Sequence, residues 1–140
     1  MPGKPCCILS MCAVVVFVGG CPFMGRVYEK DLGNGYAVWA ADIIEDAMIV
    51  HKGKGGSAST RVVQPMVFAR GYNDDFIIAM QHPEKGTKVD KSTTYWYIVE
   101  VASRDVHGPL SEDEFNQLRA KFKVPAEISF KTVRLNADGK

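Results

Sequence analysis

The stretch FIIAM, residues 76–80, is apolar at every position. A strand with one face in water alternates apolar and polar side chains, so an unbroken apolar run of this length indicates a strand that is covered on both faces. We therefore predict that residues 76–80 form the central strand of a sheet, with sheet packed on one face and a helix on the other.

Other β-prone stretches lie on either side of this strand in the sequence. Residues 94–102 (TYWYIVEVA) are rich in aromatic and β-branched side chains, which favour strands. Residues 26–32 and 35–41 are predicted to pair as a hairpin around Gly33 and Asn34, because both residue types tolerate the positive φ of a tight turn.

Three further strands are predicted, at residues 47–51, 61–70 and 128–135. Residues 47–51 form a predicted third strand, although the apolar spacing around them suits a helical turn equally well. Residues 61–70 are predicted as one strand in which Pro65 requires an edge position or a bulge. Residues 128–135 are predicted as a closing strand, and the Gly-rich residues 52–60 as a loop.

The clearest helix signal lies late in the chain, at residues 111–122. Ser111 and Glu114 have the spacing of a capping box, which satisfies free backbone N–H groups at a helix start. The helix presents one narrow apolar face, formed by Phe115, Leu118 and Phe122.

Strands in series, then one late helix and a closing strand, indicate an α+β fold. We predict a mostly antiparallel sheet of about five to six strands with the helix at 111–122 packed on it, and a small barrel is the alternative. The predicted organisation is a signal peptide at 1–20, a tether at 21–25 and a single globular domain at 26–140.

The charge of the chain argues against a nucleic-acid partner. Lys and Arg total 17 against 16 Asp and Glu, and Lys4 lies within the predicted signal peptide, so the rest of the chain is neutral. Proteins that bind nucleic acid through its phosphates carry a strongly basic surface. We therefore expect no nucleic acid among the partners.

The first 25 residues have the pattern of a bacterial lipoprotein export signal. All four cysteines lie at or before Cys21, and no charged residue occurs between Lys4 and Arg26. The apolar residues 6–18 have the length of a signal-peptide core. The sequence VGGC at 18–21 resembles a lipobox, whose cysteine thiol accepts a diacylglyceryl group.

This pattern predicts that Cys21 is lipidated, with palmitate among the acyl chains. Two or more acyl chains make a stable membrane anchor. The protein is then anchored to a membrane in the cell envelope, outside the cytoplasm. An uncut signal anchor is the alternative, since the uncharged residues 5–24 just reach the roughly 20 residues of a spanning helix. The Gly-Gly pair before Cys21 favours cleavage.

The sequence shows no known catalytic or metal-binding motif. His51, His82 and His107 are the only histidines, and none has a second ligand at the spacing of a zinc motif. We therefore assign no catalytic residue, no metal and no cofactor. A small envelope hydrolase or metal-dependent enzyme remains the alternative, in which the fold would gather His82 or His107 with one of three acids, Asp74, Asp75 or Asp105.

The aromatic cluster Tyr95, Trp96 and Tyr97 is the candidate ligand-binding surface. On a strand, Tyr95 and Tyr97 share one face and Trp96 lies on the other, so we expect one set to belong to the core. The other set is a candidate platform for a ligand or a partner, and packing in the core is the alternative for it as well.

Three stretches resemble small bacterial lipoproteins that carry a domain of unknown function. They are GYNDDFIIAMQ (71–81), YWYIVEV (95–101) and GPLSEDEFNQLRAKFKVP (108–125). The resemblance implies an envelope location and no particular activity. We accordingly expect a non-enzymatic envelope module that binds a protein, a glycan or a small ligand.

Overall fold

The computed structural model describes residue 3, residues 26–56 and residues 59–134. The predicted export signal, apart from residue 3, therefore lies outside the described residues, as do Cys21 and the tether. Within the two long described segments, no helix has the length and apolar character needed to cross a bilayer.

Antiparallel strands make up most of the regular secondary structure of the described residues. The first sheet contains β1 (Tyr28–Gly33), β2 (Tyr36–Ala40), β3 (Met48–Lys52) and β4 (Ser59–Val63) in that order. The second sheet has the order β10 (Val106–Leu110), β9 (Tyr95–Glu100), β6 (Phe76–Gln81), β5 (Val67–Tyr72) and β11 (Lys131–Thr132). A small ribbon pairs β7 (Glu84–Lys85) with β8 (Lys88–Val89), and the single described α-helix is α1 (Glu112–Lys121).

Strand β6 occupies the centre of the second sheet, as its apolar sequence predicts. Ile77 and Ala79 face the first sheet and belong to the core between the two sheets. Ile78 faces the opposite way and packs with Phe115 of α1. The sheet is therefore covered by a sheet on one face and a helix on the other, and the predicted α+β class is confirmed.

The prediction of one strand over residues 61–70 is wrong. The chain leaves β4 at Val63 and enters β5 at Val67, so the two halves belong to different sheets. Pro65 has no N–H to donate to a ladder, and Met66 adopts a positive φ of 76°. This break divides the predicted single sheet of about five to six strands into two main sheets.

Other strand boundaries also differ from the predictions. Residues 44–46 form a short 3-10 turn before β3. The predicted strand and the alternative helical turn are therefore both present, one after the other. The closing strand shortens to β11, because residues 128–130 leave the sheet. Strand β10 has no clear sequence signal, since Gly108 and Pro109 lie within it.

The predicted hairpin and helix are both present. The turn between β1 and β2 contains Asn34 at φ 52° and Gly35 at φ 84°. At the start of α1, the Ser111 Oγ accepts from the Glu114 backbone N at 3.3 Å, and the Glu114 Oε2 accepts from the Ser111 backbone N at 2.8 Å. The capping box is thus confirmed.

The capping box predicts a pH-dependent contribution to stability. The backbone N–H of Ser111 holds the pKa of Glu114 below its ordinary value of 4.5. A carboxyl whose pKa is lowered by folding stabilises the native state above that ordinary value, and this contribution is lost as the pH falls through the lowered pKa. We expect acidification from about pH 5 to about pH 3 to destabilise the parent chain more than Glu114→Gln.

Urea denaturation of the two proteins at each pH measures this difference. As a control at neutral pH, Ser111→Ala is expected to cost about 1 kcal/mol, because it removes the hydroxyl that caps the helix. Equal acid sensitivity of the parent and Glu114→Gln would contradict the prediction.

Candidate functional site

The structure separates the three aromatic residues of the predicted surface as strand alternation requires. Tyr97 is 7% exposed and belongs to the core between the sheets, and the half-buried Tyr95 packs against that core. Trp96 lies on the opposite face, where its ring centroid is 4.9 Å from that of Phe115 and 5.3 Å from that of Phe130. Trp96 therefore packs beneath the helix, and only the two tyrosines reach a common cavity.

This cavity, which we call the Tyr95 cleft, is open to solvent and has a volume of about 580 Å³. It lies where the end of β4 and the loop after it approach the ends of β6 and β9. Besides the two tyrosines, it is lined by the polar residues Arg61, Gln64, Gln81 and Glu84 and by the prolines Pro65, Pro83 and Pro109.

The floor of the cleft is a buried and uncharged hydrogen-bond chain. The Tyr97 hydroxyl donates to Gln81 Oε1 at 2.8 Å, and Gln81 Nε2 donates to the Pro65 carbonyl oxygen at 2.8 Å. Gln81 is only 5% exposed. An amide has two N–H donors and a hydroxyl also accepts, so these bonds leave one Gln81 donor and the Tyr97 oxygen available within the described chain.

Burial raises the pKa of Tyr97 above its ordinary value of 10.0. The phenol is therefore protonated at neutral pH, which keeps the floor neutral. The charges of the cleft lie at its exposed rim, where Arg61 donates to Gln64 Oε1 at 3.3 Å and Glu84 supplies a carboxylate. The cleft thus offers an aromatic surface and neutral hydrogen-bonding groups between a positive and a negative side chain.

Gln81 is a site residue that no sequence motif singled out. Ile77 and Ala79 of the same strand face the core between the sheets, and Gln81 follows them in the same alternation. A polar side chain at a core-facing position of an apolar strand is an available signal, because buried polar groups need partners. The carbonyl oxygen of Pro65, which accepts the hydrogen bond from Gln81, lies in the loop between β4 and β5. Strand alternation in the sequence does not predict this contact.

The structure does not bring His82 together with Asp74 or Asp75, two of the acids of the alternative enzyme hypothesis. His82 follows the last residue of β6, where its ring stacks on Phe68 with centroids 4.0 Å apart and its Nδ1 lies 3.0 Å from the Thr93 carbonyl oxygen. Asp74 and Asp75 precede the first residue of the same strand. His82 lies seven residues beyond Asp75 along this strand, so about 23 Å of extended chain separates them.

His107 pairs with a carboxylate that the sequence hypotheses did not include. Its Nε2 lies 2.8 Å from Glu100 Oε1, and its ring lies on Phe122 with centroids 4.6 Å apart. His51 contacts the edge of the Tyr36 ring. In residues 26–56 and 59–134, no three His, Cys, Asp or Glu side chains come close enough to hold a metal ion.

These features define a class of protein: an α+β sandwich with one sheet between a second sheet and a helix, and with a neutral aromatic cleft at one end. The chain belongs to the family described as "Protein of unknown function (DUF3997)", whose model matches residues 33–134. The predicted membership of a domain family of unknown function is thereby confirmed. No curated protein and no solved structure matches the chain.

Proposed function

We propose that this protein is a lipoprotein of the bacterial cell envelope that binds a neutral glycan in the Tyr95 cleft while acylated Cys21 holds it to a membrane. The observation that carries the binding proposal is the buried, neutral chain from Tyr97 through Gln81 to Pro65 at the cleft floor.

A neutral floor beside an aromatic ring suits a sugar. Sugar rings present both hydroxyl groups and apolar C–H faces, and the floor leaves a Gln81 donor and the Tyr97 oxygen for the hydroxyls. The half-buried Tyr95 supplies a ring against which a C–H face packs. The cleft volume of about 580 Å³ lies within the roughly 300–1,000 Å³ of typical small-ligand sites.

The charge distribution supports a neutral ligand rather than a polyanion. Arg61 and Glu84, which both line the cleft, have opposite charges, and the whole chain has a formal net charge of only +1. A polyanion is attracted by a positively charged surface, and one positive and one negative side chain do not form such a surface. The proposed location at a membrane of the cell envelope rests on the VGGC pattern at residues 18–21, shortly before the described domain begins.

The anchor is tested by labelling cells with palmitate. Cys21→Ala is expected to abolish the label and to leave a larger precursor that retains residues 1–20, because the thiol that accepts the lipid is gone. Cys12→Ala is the matched control, since it removes a thiol from the same segment and should leave labelling and processing intact. A Cys21→Ala chain that is still labelled and still cut would show the lipobox interpretation to be wrong.

Glycan binding is tested by titrating the protein with neutral oligosaccharides and following amide NMR shifts. We expect shifts at Gln81 and Tyr97, and a loss of about tenfold to a hundredfold in affinity for Tyr95→Ala. Tyr72→Ala is the matched control, because Tyr72 is an exposed tyrosine that does not line the cleft. This part of the proposal would be refuted if Tyr95→Ala and Tyr72→Ala weakened binding equally, or if the protein bound no oligosaccharide.

A further inference from the structure

The end of the sandwich where the described chain begins carries an unusual group of side chains. The Arg26 guanidinium carbon lies 3.6 Å from the centroid of the Trp39 ring. The Val27 backbone N donates to the Ala40 carbonyl oxygen at 3.1 Å, which places Val27 beside the last residue of β2. Ile43 lies three residues after Ala40, in the segment that follows β2, so the chain places it near the same open end of the β1–β2 hairpin.

This end, which we call the anchor end, exposes apolar side chains. Ile43 is 53% exposed and Val27 is 42% exposed, and they are two of four large exposed apolar residues in the described chain. The other two, Tyr72 and Val106, lie toward the opposite end. Asn34 marks that end, because its Nδ2 donates to the Asp74 carbonyl oxygen from the turn of the β1–β2 hairpin.

The proposed lipid anchor is close to this end by covalent geometry alone. A chain extends by at most about 3.6 Å per residue, so Cys21 lies no more than about 18 Å from Arg26. We infer that, in the anchored protein, the anchor end lies against the lipid headgroups and that Trp39, Arg26, Val27 and Ile43 contact them. This inference rests on the acylation of Cys21 in the proposed function.

The side chains at the anchor end suit the boundary between water and lipid. Tryptophan is enriched at membrane interfaces, and arginine extends its apolar stem along such a boundary while its charge stays in water. In the described chain, the Trp39 Nε1 is buried without a hydrogen-bond partner. An ester or phosphate oxygen of a headgroup would satisfy this donor once the side chains that cover it move aside.

The contact is apolar rather than electrostatic. Arg26 Nη1 is already paired with Glu29 Oε2 at 2.7 Å, and Asp42 and Glu45 are exposed at the same end. Attraction to anionic lipid needs a cluster of unpaired basic residues. We therefore expect the same contact on zwitterionic and anionic vesicles.

The experiment uses the full chain, expressed in bacteria and purified from membranes. Trp96→Phe leaves Trp39 as the only tryptophan. After mass spectrometry has established the acyl chains on Cys21, the protein is placed in phosphatidylcholine vesicles with or without a headgroup-nitroxide lipid. We expect the nitroxide to quench Trp39 fluorescence about twofold, because the ring lies at the headgroup level.

Two matched variants in the same background test which end faces the membrane. Ile43→Asp places a charge at the anchor end and should reduce the quenching, whereas Val106→Asp changes another exposed apolar residue at the other end and should not. A headgroup photocrosslinker on the chain with both tryptophans gives a second measurement, in which adducts are expected near Ile43 and not near Val106.

The outcomes separate this inference from the proposed function. Acylated protein without quenching and without adducts near Ile43 would overturn the inference alone. Equal quenching of the two aspartate variants would also overturn it. A chain without acyl groups on Cys21 would overturn both the inference and the proposed anchor.

Discussion

Phe115→Ala is expected to lower the free energy of unfolding by about 3–5 kcal/mol, the usual cost of removing a fully buried phenylalanine. Phe115 is 1% exposed and is the only buried residue of α1. Its ring contacts Trp96, and its centroid lies 5.9 Å from that of Phe130. Alanine would therefore leave a cavity at the point where the helix joins the sheet.

Guanidinium denaturation, followed by far-UV circular dichroism, measures this loss. Asn116→Ala is the matched control, because Asn116 is the exposed neighbour of Phe115 on the same helix and alanine is the better helix former. A small domain has a total stability of only about 5–15 kcal/mol, so the Phe115 variant should unfold at much lower denaturant concentration. A loss below about 1 kcal/mol would mean that α1 does not pack on the sheet in this way.

Gly108→Ala is expected to destabilise the protein by about 3 kcal/mol and to disturb the Tyr95 cleft as well. Gly108 has a φ of 148°, which a side chain rarely adopts. An added Cβ would lie 2.8 Å from the Trp96 carbonyl oxygen and closer still to the Tyr97 ring. The ring would have to move, which would break the bond from its hydroxyl to Gln81.

Gly86→Ala separates the two causes of this loss. Gly86 also has a positive φ, of 68°, but an added Cβ would meet nothing within 4 Å. It should therefore cost only the backbone strain, about 1–2 kcal/mol. Denaturation midpoints and glycan titrations of both variants test the prediction, and equal losses of stability with intact binding would refute it.

The features that the sequence by itself determined are those encoded within a few neighbouring residues. The capping box depends on Ser111 and Glu114, which are three residues apart, and the hairpin turn depends on the conformational freedom around Asn34. The apolar run at 76–80 identified a strand with two covered faces, because an apolar side chain on either face requires cover. The family match, to a domain of unknown function, covers the stretches that carry the resemblance to such a domain.

Only the tertiary structure decided how these elements combine. Pro65 was recognised as an interruption, but its effect depends on whether the chain continues in the same sheet, which is settled by strands distant in sequence. Alternation placed Trp96 opposite Tyr95 and Tyr97 without indicating which face is open. The two faces differ because α1 covers the face of β9 that carries Trp96, whereas the tyrosines on the other face line a cleft together with Gln81.

The physical reason for this division is the range of the interactions. Capping and strand alternation follow from covalent geometry and from hydrogen bonds between near neighbours, so their signals are local. The cleft joins Arg61, Gln81 and Tyr95 from three strands of two sheets. Such contacts depend on packing between distant segments, which the chain encodes only as a whole.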